Sequence, residues 1–165
     1  MLYFAYGSNM CTGRLTARVG SAKFIAVAQL FQHRFAFEKK SDDYSAKGNA
    51  AETKLDSDLV WGVVFDIDPA QKPNLDRAEG LGHGYAEKKV TVTDQTQQSY
   101  ECVMYYAQPS HIIADRPYSW YKRFVTEGAR QHSLPQEYID QHLEAHADKQ
   151  DLDKQRDARK RAIKC

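Results

Sequence analysis

Apolar residues recur along this chain in two periods. Leu2 to Tyr6 form an unbroken apolar and aromatic run, which predicts a buried strand. From Lys23 to Phe37 the apolar positions partly alternate, as expected for one long bent strand or a strand pair. Ala50 to Lys54 is a short strand candidate. Leu59 to Ile67 is the densest β-branched and aromatic run, so a central strand is expected there, with Gly62 marking a bulge or a close backbone approach. Lys88 to Thr93 and Ser99 to Ala107 flank the turn Asp94 to Gln98 and predict a hairpin. Helical character is expected over Met10 to Arg18. It is expected again from Asp68-Pro69, an acidic cap and a first-turn proline, to a stop at Gly80. Pro117 to His132 places Trp120, Tyr121, Phe124, Val125 and Ala129 at helical spacing. Leu134-Pro135 opens another helix, with Tyr138, Ile139 and Leu143 on one face. The polar stretch Glu38 to Asn49 reads as a mobile covering loop, and Gly80 to Tyr85, with three glycines, as a tightly turned one. After Ala147 apolar anchors nearly vanish among dense mixed charge, so a solvated helix or frayed end is expected.

The division that follows is one domain over residues 1–146 and a charged tail over 147–165. Lys and Arg number 23 against 22 Asp and Glu, a balance that argues against a nucleic-acid footprint. No apolar run reaches the roughly 18 residues of a membrane span, and no secretory leader is evident. Cys11, Cys102 and Cys165 are odd in number and share no metal-ligand spacing. They read as a reducing, cytoplasmic pattern, with Cys11 and Cys102 as small buried side chains.

Candidate chemistry gathers at two places. Gly7 permits a sharp turn after the first strand, and Ser8 and Asn9 suit a helix cap. Such a turn can aim backbone N–H groups at a phosphate or carboxylate, although an ordinary capped strand end has the same letters. Glu79 stands at a helix end before the glycine-rich loop, where enclosure by backbone and aromatic groups would suit it to proton transfer; a plain surface glutamate is the alternative. Ser8 lacks the G-x-S-x-G context of a nucleophile and is read as a binding residue. The six histidines include His142 and His146 four apart, but no third ligand accompanies them, so no metal is expected. Gly80-Leu81-Gly82-His83-Gly84 lacks dinucleotide-binding spacing.

In combination, Tyr3-Phe4-Ala5-Tyr6-Gly7-Ser8-Asn9, Val60-Trp61-Gly62-Val63-Val64-Phe65, Leu75-Asp76-Arg77-Ala78-Glu79-Gly80 with Gly84-Tyr85, Tyr121-Lys122 and Leu134-Pro135-Gln136-Glu137-Tyr138 resemble the γ-glutamylcyclotransferases, in consistent order over roughly residues 2–143. The resemblance implies a mixed α/β (α+β) fold, a small barrel-like sheet with flanking helices. It implies that Tyr3, Phe4, Ala5, Tyr6, Gly7, Ser8 and Asn9 bind a small γ-glutamyl substrate, that Glu79 transfers the proton, and that Tyr121 and Tyr85 contact the substrate. The Glu79-to-Tyr85 interval is a residue shorter than in some relatives, so the role of Tyr85 stays open. The implied activity is cyclisation of γ-glutamyl-amino acids to 5-oxoproline, without cofactor. A homodimer is left open.

Two alternatives accompany that expectation. One is a cyclotransferase for γ-glutamylamines or glutathione, whose YGTL- or YGSL-like loops differ from Tyr6-Gly7-Ser8-Asn9 here. The other is a non-catalytic binding protein that keeps the anion pocket.

Overall fold

A computed structural model describes all 165 residues, Met1–Cys165. Five strands close into a barrel: β1 (Leu2–Ala5), β2 (Lys23–Phe31), β5 (Leu59–Asp66), β6 (Tyr85–Asp94) and β7 (Ser99–Ala107), in the order β1-β5-β2-β6-β7. Every pairing is antiparallel except the closing contact of β1 with β7, where Tyr3 lies opposite Val103. β5 is central, as its composition predicts. A Cβ at Gly62 would fall 2.6 Å from the Ala5 carbonyl and from the Phe4 ring, so the glycine permits the expected close approach.

The segment Lys23 to Phe37 resolves as a strand pair, because β3 (His33–Lys40) leaves the barrel after Gln32 and pairs with β4 (Ala46–Glu52). The mobile loop expected over Glu38 to Asn49 is therefore corrected: only residues 41–45 connect the two strands. Polar letters there belong to ordered strand. Asn49 is buried because its amide donates to Glu38 Oε1 at 2.9 Å and accepts from the Ala107 N–H at 2.8 Å. A buried polar group is tolerated when such bonds are complete.

The helices cover one end and one side of the barrel. They are α1 (Thr12–Val19), α2 (Lys72–Glu79), α3 (Ser119–Gln131), α4 (Gln136–Tyr138, continued by a wide π-type turn over Ile139–Glu144) and α5 (Lys154–Arg161). Asp68 accepts from the Ala70 N–H ahead of α2, as its sequence suggests. Ser8 and Asn9, by contrast, cap nothing: they form a short 3-10 turn, and no side-chain cap bond is made at its start or at the start of α1. α3 packs directly on this turn. A Cβ at Gly128 would sit 2.4 Å from the Cys11 nitrogen, so only glycine lets the helix come so close. Phe124, Val125 and Ala129 meet Phe4, Phe65, Leu15 and Val19 in one apolar core. No helix is long and apolar enough to cross a membrane.

The tail is tied down by polar groups. α5 buries no residue, yet Asp151 before it is 2 % exposed and accepts from the Trp120 indole at 2.8 Å and from Arg156 at 2.6 Å. Arg123 donates to the carbonyls of Lys160, Arg161 and Ile163. The odd cysteine count conceals a pair: Cys165 is disulfide-bonded to Cys11 across 154 residues, and Cys102 remains a buried free thiol.

Candidate active site

A narrow cleft of about 20 Å³ opens at one end of the barrel, lined by Tyr3, Tyr6, Gly7, Ser8, Asn9, Gly48, Glu79, Tyr85, Tyr105 and Tyr121. Five tyrosines from β1, β6, β7, α3 and the Gly7 turn converge there. Burial raises each phenol above its ordinary range, and the Glu79 charge adds to the effect, so all five are neutral donors at physiological pH.

Three of these hydroxyl protons are committed within the protein. Tyr6 donates to the Tyr105 carbonyl at 2.6 Å, Tyr85 to the Gly48 carbonyl at 2.6 Å, and Tyr105 to Asp76 Oδ1 at 2.5 Å. Tyr3 and Tyr121 differ. Tyr3 Oη accepts from Asn9 Nδ2 at 2.9 Å and Tyr121 Oη from the Gly48 N–H at 3.0 Å, and neither donates to a protein acceptor. Each phenol has one donor, so two protons are left for a molecule in the cleft. A Cβ on Gly7 or Gly48 would lie 3.6 Å from Tyr121 Oη, and their absence keeps room around that group. The Gly7 N–H also makes no hydrogen bond within the chain.

Glu79 ends α2, where Gly80 takes the left-handed conformation and closes the helix. Its Oε1 accepts from Arg18 Nη1 at 2.5 Å and from Asn9 Nδ2 at 2.9 Å, and Arg18 also donates to Asn9 Oδ1 at 2.8 Å. The Glu79 side chain is 15 % exposed. All the donors fall on Oε1, so Oε2 has its lone pairs free toward the cleft. Behind Ser8 lies Arg14, whose Nε donates to Ser8 Oγ at 3.2 Å and whose guanidinium covers the Phe124 ring. Burial and the neighbouring Arg18 charge hold Arg14 down at about 10. This wall is therefore electropositive.

Of the residues expected at the site, Tyr3, Tyr6, Gly7, Ser8, Asn9, Glu79, Tyr85 and Tyr121 line one cleft. Phe4 and Ala5 do not: Phe4 is fully buried under Gly62, and the Ala5 carbonyl is packed against the same glycine. Phe4 packs under Gly62 and Ala5 pairs with Val63 of β5, so both belong to the barrel wall. Gly48 and Tyr105 line the cleft unforeseen, and Arg14 and Arg18 support it. The four-residue spacing of those arginines, just after the turn, was a readable sign of one basic helix face.

Residues 59–142 match the family model described as the AIG2-like family. A curated γ-glutamylcyclotransferase from cattle (Bos taurus) is 35 % identical over 141 residues, covering 83 % of this chain and 74 % of that protein. The chain belongs to the γ-glutamylcyclotransferase family. The human protein of that name is 33 % identical over the same length and coverage. A solved structure titled γ-glutamyl cyclotransferase superposes with a TM-score of 0.82 at 30 % identity, over 90 % of this chain and 89 % of that one. The mixed α/β architecture with a closed five-stranded barrel is thus the architecture of γ-glutamylcyclotransferases, as the sequence resemblance implies.

Proposed function

We propose that the cleft cyclises γ-glutamyl-amino acids to 5-oxoproline, with release of the amino acid, and that Glu79 carries the proton. The observation that supports this most directly is a carboxylate, Glu79, that lines the cleft with one oxygen free of protein donors, beside two uncommitted phenol donors. The substrate's α-nitrogen bonds to its own γ-carbonyl carbon, and the bond from that carbon to the leaving nitrogen breaks. Nucleophile and electrophile belong to one molecule, so the protein has to fold the chain over rather than gather two reactants. The α-nitrogen loses two protons, one from its ammonium form before it attacks and one once it is bonded to the γ-carbon; both pass to the departing nitrogen, which leaves as an ammonium, and Oε2 relays them as base and then acid. Negative charge on the γ-oxygen in the tetrahedral intermediate is met by donors fixed beforehand, for which the Tyr3 and Tyr121 hydroxyls and the Gly7 N–H are the available groups. The substrate's α-carboxylate lies toward Ser8 and the Arg14 side of the wall. Phe4 and Ala5 act by forming the strand that carries Tyr3, and Tyr85 by fixing Gly48.

The cytoplasmic setting expected from the sequence is part of this reading, although its premise of unpaired cysteines holds only for Cys102, because Cys11 and Cys165 are bonded. There the Cys11–Cys165 bond must hold against a reducing thiol pool.

The test is release of 5-oxoproline from γ-glutamyl-alanine by the purified protein, alongside Glu79→Gln. Turnover by the parent, with a loss of about 10²–10⁴-fold in the variant, supports the reading. An inactive parent that still binds the dipeptide returns the protein to the non-catalytic alternative.

A further inference from the structure

Lys39 is 8 % exposed and makes no ion pair. The carboxylates whose charge it feels are taken by other cations: Asp43 pairs with Lys47 at 2.6 Å and Glu79 with Arg18, while Asp42 acts only from beyond pairing distance. Its ammonium rests instead 4.8 Å from the centroid of the Tyr85 ring. Such a contact compensates only partly for taking an ammonium out of water, and burial accordingly lowers its pKa.

Its position is built by three segments. Lys39, the penultimate residue of β3, bridges to Ile112, and the Ile113 N–H donates to the Glu38 carbonyl. The Gln108 N–H donates to the carbonyl of Gly84 at 2.9 Å, which brings His111 alongside. A Cβ at Gly84 would meet Lys39 Cε at 2.7 Å, Nζ at 2.9 Å and the His111 ring at 3.2 Å, and Gly84 itself holds a φ of +125°. The positive φ favours glycine where the chain enters Tyr85, the cleft-lining residue that Lys39 covers, and the bare Cα leaves room for the Lys39 ammonium. Lys39 is thus a largely buried cation that no protein carboxylate pairs, set against one ring of the cleft wall.

We propose that Lys39, flanked by His111, is the subsite for the carboxylate of the departing amino acid, and that it makes the enzyme prefer γ-glutamyl-amino acids over neutral γ-glutamylamines and amides. This rests on the reading of the cleft as a cyclotransferase site. In a γ-glutamyl-amino acid the leaving nitrogen carries a carbon that bears the carboxylate, so the anion stands two bonds beyond the bond that breaks. The γ-glutamyl part lies between Ser8 and Glu79, and the departing group leaves the cleft past Tyr85. A carboxylate on an ammonium is a charge-assisted contact, worth about tenfold in discrimination against an amide of the same shape.

The experiment measures kcat/KM for γ-glutamyl-alanine and for γ-glutamyl-alaninamide, by 5-oxoproline release, in the parent, Lys39→Met, Lys39→Arg and Lys39→Glu. The readout is the acid-to-amide ratio within each variant, which does not depend on the fraction of protein folded. The parent ratio should exceed about ten, survive in Lys39→Arg, collapse toward one in Lys39→Met and fall below one in Lys39→Glu. A parent that cyclises both substrates with the same ratio as Lys39→Met overturns the carboxylate subsite and leaves the cyclotransferase reading standing. A parent that cyclises neither overturns both.

Discussion

Two arginine–carboxylate pairs divide this molecule by purpose. At the cleft, Arg18 meets Glu79 with a single nitrogen on a single oxygen, and Oε2 is left without a protein donor. At the tail, Arg156 grips Asp151 with two nitrogens, at 2.6 Å each, while the Trp120 indole and the Asp153 N–H complete both oxygens. Asp151 has no exposed side-chain surface, and its donors, Arg156 first, hold its carboxyl down at about 2. The tail pair is saturated and faces no cavity, as a structural anchor should. The cleft pair is deliberately incomplete, and an unfilled acceptor beside unfilled donors is how a reactive site differs from a brace.

The largest effect that can test this contrast is on rate. Glu79→Gln keeps size and can still accept from Arg18, but it cannot hold and return a proton. We expect a fall in kcat of about 10²–10⁴-fold, some 3–5 kcal/mol in the barrier, with melting temperature and γ-glutamyl ligand affinity nearly preserved. Asp151→Asn should show the opposite behaviour: unchanged kcat and about 2–3 kcal/mol less stability in denaturant unfolding, from a buried Arg pair left half made. If Asp151→Asn slows turnover as much as Glu79→Gln does, the division is wrong.

The tail's second anchor gives the next effect. Cys165→Ser opens a link spanning 154 residues, and loss of such a constraint costs about 2–4 kcal/mol. At this chain length that lowers Tm by roughly 5–15 °C. Reductant should lower the parent's Tm to the variant's value and leave the variant unmoved. Alkylation of all three cysteines in the unreduced native-purified parent, after denaturation, would show that the pair is not bonded.

These two regions were unequally legible in the sequence. The cleft announced itself through residue types whose chemistry is local: an aromatic strand ending in Gly7-Ser8-Asn9, and a carboxylate on a helix stop. Close packing against Gly62 of β5 then took Phe4 and Ala5 into the barrel wall and away from the cleft. Gly48 was missed because Lys47-Gly48-Asn49 has loop-like composition, yet it pairs with Ala36 to Lys39 of β3, and Asn49 is satisfied by bonds to Glu38 and Ala107. The tail was misjudged for a similar reason. Its anchors are the Asp151–Arg156 pair, tied to Trp120 of α3, and Cys165, bonded to Cys11 just ahead of α1, and hydrophobic periodicity carries no trace of such pairings across the chain. Lys39 escaped notice within the same polar run, because charge in a sequence does not reveal whether its counter-ion exists.

The two regions should also fail at opposite ends of the pH scale. The cleft phenols are raised in the folded state by burial. The folded chain therefore binds more protons than the unfolded chain above about pH 10, the ordinary phenol value, and stability declines as pH rises past it. Asp151 is lowered, so its contribution is complete above about pH 4 and is lost as pH falls through about 2. Thermal unfolding followed from pH 2 to 11 should show Asp151→Asn flattening the acid limb and leaving the alkaline limb in place.

The smallest effect sharpens the comparison within one residue type. Tyr121 and Tyr118 stand three residues apart at the start of α3. Tyr118 donates its proton to the Asp43 carbonyl at 2.9 Å, whereas Tyr121 only accepts, from the Gly48 N–H, and has its proton free toward the cleft. Removing either hydroxyl deletes one internal hydrogen bond, so both Tyr→Phe variants should lose about 1 kcal/mol of stability. Only Tyr121→Phe also deletes a donor aimed at the substrate. We expect its kcat/KM for γ-glutamyl-alanine to fall about tenfold, with the loss carried mainly by kcat if the hydroxyl meets charge that develops in the transition state, and by KM if it holds the ground-state substrate. Tyr118→Phe should retain the parent kcat/KM. Equal kinetics in the two variants would mean that the Tyr121 proton serves packing as the Tyr118 proton does, and the oxyanion would then have to be met by Tyr3 and the Gly7 N–H alone.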